Sequence, residues 1–467
     1  MQQVTVRFDR GTLLVDGDKV LLNDVIQYLK FDERVNCYRA EAYNYAPIVL
    51  TLHRTKIPYL DEAKLFKRLN LQLNSELIPR EHQAQALEGW KQCHGRGVVV
   101  MPTGSGKSFL AILAMLHIQR STLIIVPTID LMHQWSSQLE AFFKCPIGML
   151  GGGSRDVLDI TVSTYDSAVI HMEFIGNKFG FIIYDECHHL PSQMNIIAAS
   201  MCVAPYRLGL SATPERDDGG EKELFRLVGP LAYQIHIDEL EGHILAPYDT
   251  RQVVLPLHDD EAEEYTATRK IYTDFLRANG ITFNSRNDWS KFIIMCAQKP
   301  NGRDVLKAFH RQRHIAQSGR SKFEKTWDII REHCGERIII FTADNDTAYK
   351  LGREFFLPVL THQTKGSERK EFLDKFRNGE YSILVTSKVL NEGVDVPEAS
   401  VGIIVSGSGS IREHVQRLGR ILRAKANKRA VLYELLSDGT SEMNVSKRRR
   451  NHRAYSNKNS NWNSRRQ

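Results

Sequence analysis

Short apolar runs alternate along the chain with longer stretches in which apolar side chains recur every three or four positions, and this alternation occurs in two separate series. The first series has its apolar runs at residues 97–101, 123–126, 160–163, 181–184 and 207–210. The second series has them at residues 338–341, 359–362, 383–386, 401–405 and 430–434. Runs of this length predict buried strands, and the stretches between them predict crossover helices. The predicted fold class is therefore α/β, with two parallel sheets that bind ligands beyond the carboxyl ends of their strands.

Three other segments lack this alternation of short apolar runs and helical stretches. Near the N-terminus, apolar and polar residues alternate over 4–8 and again over 12–18, which predicts paired strands in a small domain. Residues 258–318 contain long charged helical stretches and no apolar strand runs, which predicts a helical insertion. The predicted domains are a small N-terminal domain over 1–75, a first sheet domain over 76–239, a second over 240–257 and 319–446, the insertion over 258–318, and a basic tail over 447–467.

The positive charge is concentrated at the C-terminal end. The chain has 467 residues and a net charge of +7, while residues 447–467 alone carry eight lysines and arginines and no acid. The rest of the chain is therefore close to neutral, and the Ser/Asn/Arg-rich tail is predicted to be disordered when unbound. A phosphate-tracking arm, a nuclear-import signal and a solubilising tail all fit this composition.

The cysteine and hydropathy patterns favour the cell interior. The seven cysteines are scattered and none forms a Cys-x-x-Cys pair, which argues against disulfides, a zinc ribbon and a cysteine-held iron–sulfur cluster. No apolar run approaches the ~18–20 residues that span a bilayer, and the N-terminus has no apolar signal core. We therefore expect a soluble intracellular protein with no membrane partner.

A glycine-rich segment follows the first apolar run of the first series. Residues 101–108 read Met-Pro-Thr-Gly-Ser-Gly-Lys-Ser and lead into a helical pattern, although Met101 stands where the general pattern has glycine. Such a turn lets backbone N–H groups surround a polyphosphate, with Lys107 at the β- and γ-phosphates and Ser108 on Mg²⁺. The predicted ATP-binding residues here are Thr103, Gly104, Ser105, Gly106, Lys107 and Ser108.

A pair of carboxylates ends the apolar run at 181–184. Asp185 can hold Mg²⁺ through water, and Glu186 can orient and deprotonate the water that attacks the γ-phosphate. His188 and His189 follow, but adjacent side chains are expected to point apart, and no cysteine cluster lies nearby, so a zinc site is not favoured.

Two arginines share a face of a predicted helix near the end of the second series. Arg420 and Arg423 are three positions apart, so both guanidinium groups can reach one ligand. They can neutralise charge on a transferred phosphoryl group, or they can belong to a solvated helix face.

The order of these motifs resembles that of superfamily 2 helicases. In that resemblance, Arg80 stacks on adenine and Gln83 reads its edge, while residues 126–128 and 162–165 contact the nucleic-acid strand. Residues 211–213, Ser-Ala-Thr, correspond to the link between hydrolysis and nucleic-acid grip, and Gly393 and Asp395 lie in the motif that precedes the arginine helix. The coupling residues implied are His188, Ser211, Thr213 and Gln416.

Within that superfamily, the sequence resembles the xeroderma pigmentosum group B (XPB) family, especially its compact archaeal members, at residues 164–167, 185–191, 406–410 and 416–423. The resemblance implies two RecA-like motor domains facing an ATP cleft, a damage-recognition-like N-terminal domain and a thumb-like insertion. The thumb would grip duplex DNA through Lys270, Arg277, Lys307, Arg311 and Arg313. The family's DNA-opening Arg-Glu-Asp loop corresponds here to Arg216, Asp217 and Asp218, with aspartate in place of glutamate.

The function implied is that of an ATP- and Mg²⁺-dependent 3′–5′ DNA helicase or double-stranded DNA translocase, acting at junctions, bubbles or damaged sites in excision repair or transcription-linked processes. A partner nuclease is implied by archaeal relatives. The location implied is cytoplasmic and nucleoid-associated in an archaeon or bacterium, and nuclear in a eukaryote. Two alternatives are an RNA-remodelling helicase and an ATP-latched scaffold for a partner nuclease, since the motor motifs do not themselves distinguish the sugar.

Overall fold

The computed structural model describes residues 3–74, 78–212, 220–240, 248–283, 287–387, 399–407, 430–444 and 446. The chain divides into two compact units, the first ending at Glu239 and the second beginning at Leu240. Within the described residues, no helix is long and apolar enough to cross a membrane.

The first unit opens with a small mixed sheet. Its elements are β1 (Val4–Asp9), β2 (Thr12–Asp16), β3 (Lys30–Asp32), β4 (Cys37–Glu41), α1 (Tyr45–Arg54) and β5 (Tyr59–Glu62), with the strand order β3-β4-β2-β1-β5. β1 and β2 form the antiparallel hairpin that the alternating pattern predicts. Its turn contains Gly11 at φ 79°, where an added Cβ would lie 2.5 Å from Met201 Cγ, so only glycine fits this turn.

The main sheet of the first unit is flanked by helices. Its elements are α2 (Glu81–Gln92), β6 (Arg96–Val100), α3 (Lys107–Ile118), β7 (Thr122–Val126), α4 (Ile129–Phe143), β8 (Gly148–Gly151), β9 (Ser154–Arg155), β10 (Ile160–Thr164), α5 (Tyr165–Ile175), β11 (Phe181–Asp185), α6 (Gln193–Ser200), β12 (Tyr206–Ser211), α7 (Glu221–Val228), β13 (Leu231–Gln234) and α8 (Ile237–Leu240).

This sheet is parallel except at its β8–β9 edge and has the order β13-β6-β12-β11-β7-β10-β8-β9. Every residue of β7, β10 and β11 is buried, because helices cover both faces. Successive side chains enter opposite cores, as Leu123 and Ile124 do. The parallel order brings the carboxyl ends of β6, β7, β10, β11 and β12 to one edge, where the predicted motifs lie.

An extended segment over 63–74 fastens the small sheet to the main one. Asn177 Nδ2 donates to Ala63 O at 3.0 Å, and Leu65 N donates to Asn177 O at 2.9 Å. The Gln119 side chain accepts from Leu71 N at 2.7 Å and donates to Leu71 O at 3.0 Å. Val203, from the main-sheet region, is fully buried in the core of the small domain. The small domain therefore shares packing and hydrogen bonds with the rest of the first unit.

The second unit contains the second parallel sheet. Its elements are β14 (Tyr248–Leu255), α9 (Asp259–Ala278), α10 (Asn287–Gln298), α11 (Gly302–Ser318), α12 (Arg320–Glu332), β15 (Ile338–Phe341), α13 (Asn345–Phe355), β16 (Val359–Leu360), α14 (Gly366–Asn378), β17 (Ile383–Thr386), β18 (Val401–Ile404) and β19 (Ala430–Ser437). The strand order is β14-β19-β18-β15-β17-β16, and all of these pairs are parallel. The predicted α/β class is confirmed.

The helical insertion consists of α9, α10 and α11, of which the sequence pattern did not resolve α10. Aromatic rings join the helices: Phe292 of α10 lies 5.7 Å from Tyr272 of α9, and Trp289 of α10 lies 5.0 Å from Phe309 of α11, measured between ring centroids. Arg311 donates two hydrogen bonds of 2.6 Å to Glu264, so this predicted DNA contact also links α11 to α9. The insertion is therefore held by a small aromatic core and a bidentate ion pair.

Candidate nucleotide site

The phosphate loop connects β6 to α3 and contains two left-handed glycines. Gly104 and Gly106 have φ of 82° and 88°, which side chains with a Cβ rarely adopt. A Cβ on Gly106 would also lie 2.2 Å from Gln83 Nε2. Met101, at the departure from the general pattern, is fully buried in the core below the loop. The loop therefore keeps its glycine geometry with methionine at its first position.

Lys107 begins α3 and lies among acceptors. Its ammonium donates to Met101 O at 3.3 Å and lies 3.8 Å from Glu186 Oε1, with both side chains about nine-tenths buried. The ammonium is thus held at the loop and opposite the predicted catalytic base, where a bound γ-phosphate would compete for it.

Glu186 follows β11 in a left-handed conformation, with φ 46° and ψ 53°. This conformation turns the chain at the end of the strand and costs a non-glycine residue free energy. Its Oε2 lies 3.4 Å from His188 Nδ1, which in turn lies 3.2 Å from Ser211 Oγ at the end of β12. Two of the predicted coupling residues, His188 and Ser211, are therefore in contact with each other, and His188 also contacts the predicted base.

The His188 and His189 rings are close to each other rather than pointing apart. Their centroids are 4.4 Å apart and their planes are inclined by 36°. The expectation of divergent side chains was wrong because residues 187–189 form a 3₁₀ turn after Glu186 and do not continue the strand. Among the described residues, no group of three or more His, Cys, Asp or Glu side chains could hold a metal ion.

Asp185 is buried at the tip of β11, and both of its carboxylate oxygens accept a hydrogen bond. Oδ1 accepts the Glu186 N–H at 3.0 Å, and Oδ2 accepts the Trp135 indole N–H at 2.8 Å. Burial, reinforced by the neighbouring Glu186 carboxylate, raises the pKa of Asp185 to about 6, while Lys107 and the Trp135 hydrogen bond oppose this rise. The sequence analysis did not find Trp135, since a tryptophan on an amphipathic helix looks like ordinary core.

The adenine motif is joined to the phosphate loop. The Gln83 side chain accepts from Arg80 N at 3.0 Å and donates to Ser105 O and Gly106 O, both at 3.2 Å. His82 Nε2 lies 2.8 Å from Ser105 O, and this histidine is buried. The sequence analysis missed His82, because nothing in the local sequence apart from its position next to Gln83 indicates a role for it.

The two predicted strand-contacting motifs both begin helices. Thr128 Oγ1 accepts from Leu131 N at 3.3 Å at the start of α4, and Thr164 Oγ1 accepts from Ser167 N at 3.2 Å at the start of α5. Thr164 ends β10 and Thr128 follows β7, and the carboxyl ends of both strands reach the same edge as Asp185. The hydroxyls therefore cap the helices and leave the N-terminal turns facing that edge.

The donor set fits a nucleotide with a divalent cation. The loop supplies backbone N–H groups at the N-terminus of α3, Lys107 supplies a cation, and Asp185 supplies a carboxylate at the same edge of the sheet. Beside the loop, the buried Thr103 Oγ1 and Glu186 Oε2 accept and donate no hydrogen bond among the described residues, although Glu186 Oε2 lies 3.4 Å from His188 Nδ1. Unpartnered buried oxygens beside a phosphate loop suit ligand or metal-bound water contacts.

The other predicted site residues lie outside the described residues and stay predictions. They are Thr213, Arg216, Asp217, Asp218, Gly393, Asp395, Gln416, Arg420 and Arg423.

Three family models match successive parts of the chain. The model described as "Xeroderma pigmentosum group B helicase damage recognition domain" matches residues 6–63. "Type III restriction enzyme, res subunit" matches residues 76–216, and "ERCC3/RAD25/XPB C-terminal helicase" matches residues 304–456.

Similar proteins carry corresponding names. "DNA 3'-5' translocase XPB2" of Sulfurisphaera tokodaii is 38% identical over 96% of this chain and 100% of that protein. "DNA 3'-5' helicase XPB" of Mycobacterium tuberculosis is 31% identical over 74% of this chain and 58% of that protein. The transcription and DNA repair factor IIH subunit XPB/SSL2 of Saccharomyces cerevisiae is 28% identical over 76% of this chain, and the match spans 40% of its own length.

A solved structure shares the fold. The helicase domain of Pyrococcus furiosus Hef superposes with a TM-score of 0.55 at 18% identity, covering 80% of this chain and 98% of that domain. Together with the full-length match to the Sulfurisphaera protein, the two XPB-specific family models confirm the predicted resemblance. The chain belongs to the XPB family of helicases.

Proposed function

We propose that the protein is an ATP-dependent double-stranded DNA translocase and 3′–5′ DNA helicase. The observation that carries this proposal is the meeting of Lys107, Glu186, His188 and Ser211 at one sheet edge, which Asp185 shares. This arrangement can bind a triphosphate, activate water and pass a change at the phosphate to a neighbouring strand end. DNA as the substrate and the 3′–5′ direction come from the names of the relatives.

The residues divide the chemistry among them. Lys107 and the backbone N–H groups of residues 103–108 bind the β- and γ-phosphates, and Arg80 and Gln83 bind the adenine. Ser108 and Asp185 would hold Mg²⁺, which when bound neutralises phosphate charge. Glu186 orients and deprotonates the attacking water. Nucleotide contacts at Gly393, Asp395, Arg420 and Arg423 are proposed from the resemblance alone.

The finer assignments are proposals of the same kind. We propose that the domain boundaries given above divide the chain functionally, and that residues 216–218 open DNA. A role in DNA repair or transcription rests on the names of eukaryotic relatives, and excision repair is proposed from the resemblance. The nuclease partner and the cellular location stay predictions from the resemblance.

Measuring ATP turnover with no nucleic acid, with duplex DNA and with RNA tests the proposal. We expect duplex DNA to stimulate turnover more strongly than RNA, and directional displacement assays to give 3′–5′ movement. Preferential stimulation by RNA would favour the RNA-remodelling alternative. If the protein bound ATP tightly but hydrolysed it neither alone nor with duplex DNA or RNA, the ATP-latched scaffold would be favoured.

A further inference from the structure

Trp135 lies in a core that gives a buried tryptophan N–H few partners. Its side chain is 1% exposed and packs among apolar residues below the main sheet. A buried indole N–H without an acceptor costs free energy, so its partner is part of the reason that tryptophan is stable there. That partner is Asp185 Oδ2, at 2.8 Å.

The bond restricts the carboxylate of Asp185. Because Oδ1 accepts the Glu186 N–H and Oδ2 accepts the Trp135 N–H, the carboxylate plane is fixed from two sides. A hydrogen bond to an ionised carboxylate is stronger than a neutral one, and groups of this kind orient metal ligands in other proteins. The two bonds leave the second lone pairs of the oxygens available to metal-bound water.

The same tryptophan stands on the helix that begins after Thr128. Trp135 follows Thr128 by seven positions, so the threonine and the indole are about 10 Å apart along the axis of α4. Thr128 is partly exposed and caps the helix, and the following residue, Ile129, is 46% exposed. The cap at Thr128 and the indole that donates to Asp185 therefore belong to one helix.

A parallel link runs through the neighbouring helix. Thr164 caps α5, and the next residue, Tyr165, donates its hydroxyl to Asp185 O at 3.1 Å. This second link holds the backbone of Asp185, whereas Trp135 holds its side chain. Of the two aromatic donors, only Trp135 bonds to the carboxylate itself.

We propose that Trp135 is a positioning residue that orients the Asp185 carboxylate toward magnesium and connects it to the nucleic-acid contact at Thr128. This inference rests on the proposed function, since it takes Asp185 as a magnesium ligand and Thr128 as a strand contact. Trp135 does not touch the nucleotide. It acts through Asp185, so its loss changes the cation dependence of nucleotide binding.

The test compares two buried tryptophans of the same core. Trp90 is also 1% exposed, and its N–H donates to the backbone oxygen of Arg207 at 3.0 Å, away from the carboxylates. Trp135→Phe and Trp90→Phe each remove one indole N–H and a similar volume. Calorimetry measures the affinity of the full chain for the non-hydrolysable analogue AMP-PNP with and without Mg²⁺, and the ratio of the two affinities is the readout.

We expect Trp135→Phe to reduce that ratio about tenfold, at the lower end of the effects of groups that orient metal ligands, and Trp90→Phe to leave it unchanged. The factor by which duplex DNA stimulates ATP turnover falls in Trp135→Phe only. Incorporating 3-benzothienylalanine at position 135 keeps the bicyclic shape while replacing the N–H with sulfur, and it gives the same result if the phenylalanine variant folds poorly.

The outcomes separate the inference from the function on which it rests. Equal ratios in the parent and in all three variants would refute the positioning role and leave the proposed function standing. Equal losses in the position-90 and position-135 variants would also refute it, because they would reflect core packing. A parent protein whose AMP-PNP affinity does not respond to Mg²⁺ would overturn the proposed function itself.

Discussion

Lys107 Nζ and Glu186 Oε1 lie 3.8 Å apart, but the two side chains have different roles in the proposed reaction. We expect Lys107→Ala to weaken both nucleotide binding and turnover, because the ammonium contacts phosphate in the ground state and in the transition state. We expect Glu186→Gln to bind ATP normally and to lower turnover by a factor of at least about 10², because the amide keeps the shape and cannot take a proton. Equilibrium binding and steady-state turnover measure the two effects.

Lys107→Ala and Glu186→Gln control for each other, because each variant removes one charge of the Lys107–Glu186 ion pair. If loss of the pair alone lowered turnover, the two variants would have similar kinetic profiles. Near-normal turnover in Glu186→Gln would show that another group activates the water.

Gln83 gives a second prediction at this scale. Its amide contacts the loop at Ser105 and Gly106, so Gln83→Ala removes two loop contacts and the proposed adenine contact together. We expect affinity to fall for ATP and GTP and the preference for ATP over GTP to narrow. Competition binding measures the preference. If affinity falls equally for both nucleotides and the preference is kept, Gln83 supports the loop without reading the base.

Among the connecting elements, the segment over 63–74 is held in part by the Gln119 side chain. The Gln119 side chain makes three hydrogen bonds, two to Leu71 and one to Leu116 O. We expect Gln119→Ala to lower the free energy of unfolding by about 1–3 kcal/mol and to speed proteolysis within 63–74. Denaturant melts and mass-mapped limited proteolysis measure these changes.

Gln85→Ala is the matched control, because Gln85 makes exposed hydrogen bonds to Glu81 and Tyr233. It should change stability by less than about 0.5 kcal/mol. Unchanged proteolysis of 63–74 in Gln119→Ala would mean that packing and the other hydrogen bonds, such as those to Asn177, hold this segment.

Elements differ in how far the sequence predicts them. The central strands were predictable because burial on both faces makes β7, β10 and β11 continuous apolar runs. Helix α10 was not, because its mixed sequence lacks a clear start signal and its packing depends on rings from α9 and α11.

The contacts of the nucleotide site also differ in how far the sequence predicts them. Its loop and carboxylates are local motifs, and the sequence predicts them directly. The Trp135–Asp185 and His188–Ser211 contacts join residues 50 and 23 positions apart, and no local pattern records such pairs. Burial could be inferred from the sequence, but the identity of the partner could not.

At the scale of the whole chain, charge is the property that sequence alone describes best. The eight cations of residues 447–467 exceed the net charge of +7. We expect deletion of this tail to weaken duplex binding at low salt and to flatten the log–log salt dependence by about 0.9 for each phosphate that the tail had neutralised. ATP turnover without DNA should not change.

A tail of equal length with its lysines and arginines replaced by glutamine controls for chain length. Fluorescence anisotropy at several salt concentrations gives the slope. If deletion leaves the slope unaltered, the tail is a solubiliser and the DNA contacts lie elsewhere.

The N-terminal domain also has a consequence for synthesis. Its core includes Val203, its hairpin turn packs on Met201, and the segment after β5 bonds to Asn177. A nascent chain that has only just completed β5 therefore lacks part of this core. At translation rates of ~5–20 residues per second, the missing partners emerge roughly 6–30 s later. The first domain to leave the ribosome thus completes its core only once Val203, far along its unit, has been synthesised.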